Sequence, residues 1–328
     1  MKKENQRKDK SDPQEEEERI KQRMKTMLKK SHLSEGEETE DLEESLNILK
    51  RLYRFIQLFC EGHNRELQNH LREQKTTTGA PIQKDYDFIK KTSFYFYTLI
   101  KSVNRDSLDV ATQMLDFLIE SVQGPCLGNQ KAQVEAKMIN TCMDFLTFFH
   151  DDYYYRKRGF FTDKDRKEAD NATTKAMKLL NSLIEANDNE DIIKEMCNTI
   201  DFKFLARKVS DEYVNLVTSL KLKPDEMSPE DVTNRLTGDS FTQEVLESFD
   251  VYILMATLAD RDDRVREALK AFMSEEHEQP IETKALNFMR MNTGNVEIYF
   301  EGRLLKIYFP IYPICRNLTE DSQKKLIQ

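Results

Sequence analysis

Glycine is scarce in this chain: nine in 328 residues, about 3% where globular proteins average roughly 7%. Folds assembled from many tight turns or glycine-rich phosphate loops are poorly served by such a sequence, so helix is the expectation. No apolar run exceeds about ten residues, short of the roughly twenty that a bilayer span requires, and the mean hydropathy is −0.71. These residues are not expected to enter a membrane, and the chain is not by itself a channel or transporter.

The first residues, MKKENQR, are charged but have no apolar stretch behind them, so no secretory signal is expected and the setting is read as cytosolic. Cys60, Cys126, Cys142, Cys197 and Cys315 are odd in number, widely scattered and without a CxxC pair, which argues against a disulfide framework or a zinc knuckle. The 50 basic and 59 acidic residues are interspersed and sum to −9. That balance provides no positive field for nucleic acid, and solubility accounts for it.

Residues 1–40 alternate blocks of opposite charge with almost no aromatic residues, a composition that cannot offset ordering entropy by burial. A charged tail or solvated helix is expected there. From residue 41 the pattern changes. Leu42, Leu46, Leu49, Tyr53, Ile56 and Cys60 fall at helical spacing, and Gly62 stands where a left-handed helix end wants glycine. Leu67 and Leu71 share one face of a short helix, and a dense apolar set runs from Phe88 to Val103. Leu108 to Val122 forms the next helix, stopped by Gly124-Pro125.

Further helices are expected over 138–149, 172–186, 190–200, 211–220, 241–258, 265–273 and 281–291, with Ser228-Pro229 reading as a cap followed by a first-turn proline. Roughly a dozen helices in series with short breaks predict a mainly α fold, an α-solenoid of the armadillo or HEAT kind, over residues 41–292. No repeat period is visible. Residues 293–328 differ: Val296–Phe300 and Leu304–Phe309 alternate around a glycine turn at Gly302 and predict a small β-hairpin. Pro310 and Pro313 end it, and Thr319 is placed to cap a last short helix.

A catalytic reading finds no support, and no enzyme is expected. The sequence has no GxSxG elbow, Walker loop, GxGxxG or HExxH. The acidic clusters Asp163-Lys164-Asp165 and Asp260–Asp263 lack the glycine and the bidentate glutamate of a calcium loop, and read as solvated helix ends. Tyr153–Tyr155 followed by Arg156, Lys157 and Arg158 reads as a loop cover or a docking contact sooner than a base-stacking platform. Two segments combine oxygen donors with a turn at a helix end: Phe59–Asn64, with Glu61 and His63, and Ile119–Cys126, with Glu120 and Gln123 one helical turn apart. Carboxylates and an amide carbonyl are hard donors of the sort Ca²⁺ takes. An imidazole is an unusual companion for such donors, and spacing alone reads sooner as solvated carboxylates and a histidine capping helix-end carbonyls.

Three strings carry a resemblance. FIQLFCEGHNRELQNHLR (Phe55–Arg72) and IESVQGPCLGNQ (Ile119–Gln130) resemble the RIH-associated domain shared by inositol trisphosphate receptors and ryanodine receptors. IYFPIYPICRNLTE (Ile307–Glu320) resembles the inositol trisphosphate receptor segment between solenoid and channel. The resemblance is strong over 48–135 and 296–322, faint between them and absent from the first forty residues. Nothing resembles the EF-hand pair of ryanodine receptors. That and the 309–313 segment favour the inositol trisphosphate receptor branch, although the Cys60–His63 and Gly128–Gln130 stretches lie closer to ryanodine receptors.

The resemblance implies a cytosolic regulatory solenoid next to the pore of an intracellular calcium-release channel, on the cytosolic face of the endoplasmic reticulum or another internal calcium store. It implies a homotetrameric assembly and, as partners, the channel's membrane domain and its post-pore segment. It also implies a regulatory Ca²⁺ of moderate affinity, its ligand positions falling on Glu61, His63, Glu120 and Gln123, with a further ligand from the post-pore segment. A soluble solenoid scaffold that binds other proteins and has no channel is the competing expectation.

Overall fold

The computed structural model describes residues 37–75, 86–150, 162–222, 228–236, 241–273, 280–300 and 302–317. The charged segment before residue 37, the 153–158 cluster and Thr319 lie outside these residues. Among the described residues thirteen α-helices and one two-stranded antiparallel sheet follow in order: α1 Glu37–Cys60, α2 Arg65–Arg72, α3 Phe88–Ile100, α4 Arg105–Glu120, α5 Leu127–Glu135, α6 Met138–His150, α7 Asp163–Ile184, α8 Glu190–Thr199, α9 Phe202–Ser219, α10 Pro229–Arg235, α11 Gln243–Arg261, α12 Asp263–Phe272, α13 Ile281–Met291, β1 Thr293–Phe300 and β2 Arg303–Pro310. A 3₁₀ turn spans Pro313–Asn317.

The helices stack as a solenoid expects. Helix α1 packs on α4, α4 on α7, α7 on α11, and α11 on β2, while α3, α5 and α6 flank the first half of that series. Each element meets near neighbours, and one connected apolar core threads the array. Phe96, Phe117, Phe145, Phe249 and Phe288 are among its fully buried side chains, each worth about 2–3 kcal/mol relative to exposure. Half-buried Lys175 on α7 meets Asp116 of α4 at 2.5 Å and fixes the register of two layers.

Caps, more than apolar periodicity, decide where these helices begin. Asn104 and Ser107 form a reciprocal capping box for α4, and Thr162 and Asp165 do the same for α7. Helix α7 therefore starts nine residues ahead of the expected 172, through polar residues that carry no apolar stripe. Asp201 accepts from Lys203 and Phe204 amides and starts α9 nine residues ahead of the expected 211. Ser228 caps α10 with Pro229 in its first turn, as read from the sequence.

Helix α5 has no counterpart among the expected elements. Its buried residues are Asn129, Gln130, Ala132 and Gln133, so it offers almost no apolar period to read. The first apolar face is also only partly core. Tyr53 and Cys60 are buried, whereas Leu42 and Leu49 are exposed along with Ile48, Leu52, Phe55, Leu58 and Phe59.

The hairpin pairs Val296 with Ile307 and Phe300 with Arg303, and Gly302 adopts φ +84° at its turn. It is tied to the helical array at three points. The Tyr308 hydroxyl donates to Asp260 at 2.6 Å and Lys306 pairs with Asp260 at 3.0 Å. The Ile311 amide donates to the Asn292 carbonyl at 2.7 Å, and the Tyr312 ring lies 5.8 Å from that of Phe241.

Candidate calcium half-site at two facing helix ends

Helix α1 ends at Cys60, and the chain then takes two consecutive left-handed residues, Gly62 (φ +73°) and His63 (φ +58°). Glycine adopts this conformation freely; histidine does so at some steric expense. Asn64 follows and caps α2, its side chain accepting from the Leu67 amide. Glu61 and His63 both belong to this exposed turn. The second turn follows α4, which ends at Glu120; Gly124 (φ +85°) reverses the chain before α5.

These turns face each other closely. A Cβ on Gly124 would stand 2.5 Å from that of His63, a separation only glycine permits. Beneath them lies a polar core. The fully buried Gln68 of α2 donates to the Glu120 carbonyl at 2.7 Å and the Gln123 carbonyl at 2.9 Å. Buried Asn129 of α5 donates to the Gln68 carbonyl at 3.0 Å and the Ser121 carbonyl at 2.8 Å. Arg72 donates to the Asn129 side chain at 2.8 Å, and its guanidinium lies over Gly128, where any Cβ would collide with it at 1.8 Å. Gln133 donates to the Leu118 carbonyl and the Ser121 hydroxyl. The orphan carbonyls at the end of α4 are thus satisfied by α2 and α5 side chains, which lock the two turns together.

The two carboxylates feel each other. The Glu120 carboxyl is raised above its ordinary value, first by desolvation and next by the charge of Glu61, while His63 and Arg54 pull it back. Glu61 is held by Arg54, one guanidinium nitrogen lying 2.6 Å from its carboxylate. Burial, with Glu120 adding to it, pushes the neighbouring Cys60 thiol up to about 12, so it stays protonated at neutral pH.

The structure therefore brings Glu61, His63 and Glu120 into one electrostatic neighbourhood, with Gln123 on the turn that His63 packs against. It does not gather them into a finished cage: among the described residues no three His, Cys, Asp or Glu side chains stand close enough to hold a metal ion. In donor chemistry the set fits a hard divalent cation such as Ca²⁺, as part of a shell completed from elsewhere. Sequence reasoning missed Gln68, Arg72, Asn129 and Gln133. Their signal is amides and a guanidinium at helical spacings where a core needs apolar residues.

An open groove of about 710 Å³ runs from His63 and Gly124, past Asn187 and Arg261, to Leu304 and Lys306 of the hairpin. Among the described residues no helix is long and apolar enough to cross a membrane.

The pattern of the family described as RyR and IP3R Homology associated matches residues 43–146, a span that contains both turns. The chain is 24% identical to the inositol 1,4,5-trisphosphate receptor itr-1 of Caenorhabditis elegans, over 88% of this chain and 12% of that protein. It is 19% identical to the inositol 1,4,5-trisphosphate receptor-like protein A of Dictyostelium discoideum, over 90% of this chain and 8% of that protein. The chain thus spans about a tenth of the length of these curated relatives. The chain is therefore similar to the RyR and IP3R Homology associated family over residues 43–146 and to inositol trisphosphate receptors along most of its length.

Proposed function

We propose that this chain is a regulatory region of an intracellular calcium-release channel, on the cytosolic face of an internal calcium store, with a calcium half-site on Glu61, His63, Glu120 and Gln123. The observation that supports this reading is the locking of two separate turns by Gln68, within the family-matched residues, with the Glu61 and Glu120 carboxylates inside each other's electrostatic reach. Its role is regulatory and not catalytic.

Bound Ca²⁺ supplies a doubly positive centre that offsets the repulsion between Glu61 and Glu120. The chain's own residues do the rest. Glu61 and Glu120 bring the charge, Gln123 an amide oxygen, and His63 seats the first turn against Gly124. The donors held by this chain leave the shell open, and a post-pore segment of the same homotetrameric assembly completes it. Because the site is complete only when that segment is docked, ligand binding favours the docked conformation and biases the pore. The hairpin, fastened to α11 through Asp260, is the rigid lever toward the membrane domain.

The test is calcium-activated current from the assembled channel carrying Glu61→Gln together with Glu120→Gln. Loss of calcium activation with the agonist response retained is the expected result; unchanged calcium activation removes the site. A second reading, a protein-binding scaffold without a channel, is favoured by the exposed apolar face of α1 at Ile48, Leu52, Phe55 and Phe59. Cell fractionation separates the two. Retention on internal membranes supports the channel reading, and a chain found wholly free in the cytosol supports the scaffold.

A further inference from the structure

Helix α1 has two faces. One packs on α4: Tyr53, Gln57 and Cys60 are buried there, and the Gln113 side chain of α4 donates to that of Gln57 at 2.7 Å. On the opposite side Ile48, Leu52, Phe55 and Phe59 recur at steps of four, three and four residues, the spacing of a helix–helix seam. All four are exposed, Ile48 and Phe55 at 58% each. The outermost layer of a helical array ordinarily turns a polar face to solvent, and α1 turns this apolar stripe instead.

Charge decides what covers the seam. Exposed Glu43 and Glu44 stand toward the start of α1, exposed Arg51 and Arg54 toward its end, and Glu37, Glu38, Glu40 and Asp41 precede them in the sequence of the helix. A second copy of α1 fits poorly. Parallel pairing sets like charges together throughout. Antiparallel pairing in full apolar register, Ile48 against Phe59 and Leu52 against Phe55, crowds Arg51 and Arg54 of both copies at the centre. The occupant this face calls for is an amphipathic helix that is basic beside Glu43 and Glu44 and acidic beside Arg51 and Arg54. The sequence ahead of α1 has that chemistry: Glu15–Glu18, then Lys21, Arg23, Lys25, Lys29 and Lys30, with Ile20, Met24, Met27 and Leu28 at helical spacing.

We propose that residues 15–30 of this chain dock antiparallel on the exposed seam of α1, folding back across residues 33–36. The order of charge along the chain, acidic, basic, acidic, basic, is the order that pairs opposite signs on folding back. Residues 20–32 span roughly 20 Å as helix, as do residues 37–49 of α1. Ile20 then lies level with Ile48, Lys29 and Lys30 lie beside the acidic start of α1, and Glu15–Glu18 lie beside Arg51 and Arg54. Four apolar side chains are too few for such a segment to fold alone; the seam of α1 supplies the other half of the burial. This inference is independent of the calcium half-site. It bears on the scaffold reading, because an outside helix reaches the seam only by displacing residues 15–30.

The test is disulfide trapping in the purified 328-residue chain with Cys197 and Cys315 replaced by serine. One variant carries Ile20→Cys with Ile48→Cys. The other carries Ile20→Cys with Phe55→Cys, about 10 Å further along the same seam and beyond the roughly 7 Å that separates bridged Cα atoms at most. The expected result is an intramolecular bond that forms at least tenfold faster in the first variant. Glu16→Lys, Glu17→Lys and Glu18→Lys together slow it severalfold, and Arg51→Glu with Arg54→Glu in that background restores the rate. Equal rates for the two cysteine pairs overturn the proposal, since the segment then has no register on the seam. Bonds that link two chains overturn it in favour of a second copy, and a rate indifferent to charge reversal overturns the pairing that sets its direction.

Discussion

The Gln68 side-chain amide donates a 2.7 Å hydrogen bond to the backbone carbonyl of Glu120, fifty-two residues away, from a position with no solvent exposure. Its second bond, to Gln123, completes a clamp across two helix ends. Gln68→Leu keeps most of the volume but strands two helix-end carbonyls in a buried setting. Unmade bonds of this kind cost about 1–3 kcal/mol each before relaxation, so a loss of about 2–4 kcal/mol is expected. Urea denaturation followed by circular dichroism checks it. A loss below half a kilocalorie, roughly the noise of such extrapolations, shows that the clamp is dispensable.

Two of the three left-handed glycines among the described residues, Gly62 and Gly124, make a controlled comparison. Gly62 (φ +73°) has no heavy atom within 4 Å of where a Cβ would sit, so Gly62→Ala carries only backbone strain, about 1–2 kcal/mol. Gly124 (φ +85°) has comparable strain and in addition a 2.5 Å collision with the His63 Cβ, which is side-chain root and not a flexible end. Gly124→Ala is expected to be the more damaging by about 2 kcal/mol or more, with the His63 turn displaced. Equal denaturation midpoints for the two variants would contradict the close approach of the turns.

Much of this architecture is legible from residues. Helix α1 ends at Cys60 where Gly62 predicts, and the hairpin turns at Gly302 because alternation and glycine are both local signals. What is not legible follows the same logic. Helix α5 buries Asn129, Gln130 and Gln133 instead of an apolar stripe, so periodicity is silent about it. The early starts of α7 and α9 depend on Thr162 and Asp201 capping polar first turns, and a cap is recognisable only once a helix is suspected behind it. At the site, the turns are visible as glycine punctuation, while the clamp that joins them links residues more than fifty positions apart. No sequence spacing encodes that distance.

The hairpin's attachment has a separable test. Tyr308 donates to Asp260 at 2.6 Å and Lys306 pairs with the same carboxylate, so Tyr308→Phe removes one of two bonds and keeps the ring. A loss of about 1 kcal/mol is expected, too little to affect the core but enough to loosen a two-stranded element that is marginal on its own. Hydrogen exchange is the measurement: amides of 293–310 should exchange several-fold faster while those of α11 are unchanged. Acceleration spread evenly through α11 and α13 would mean that the hairpin is part of the helical core and no lever.

Glu120 links stability to pH with a definite sign. Desolvation and the charge of Glu61 raise its carboxyl in the folded state, so the folded protein holds this proton more tightly than the unfolded chain does. Stability then falls as pH rises from the ordinary carboxylate value through the raised folded one, and above that window the penalty is complete. Glu120→Gln removes the penalty. The variant is expected to be more stable than wild type at pH 7, and the gain should vanish as pH drops below the ordinary carboxylate value. Asp170, Glu185, Glu212 and Asp250 are raised by burial in the same sense, but they are common to both proteins and cancel in the difference. On the proposed half-site, millimolar CaCl₂ at pH 7 is expected to reverse the order, because a ligand that binds only the folded wild type adds stability as RT ln(1 + [Ca²⁺]/Kd). A Glu120→Gln variant less stable than wild type at pH 7 without calcium would mean that the carboxylate is held by favourable partners, which is the opposite of a site waiting for a cation.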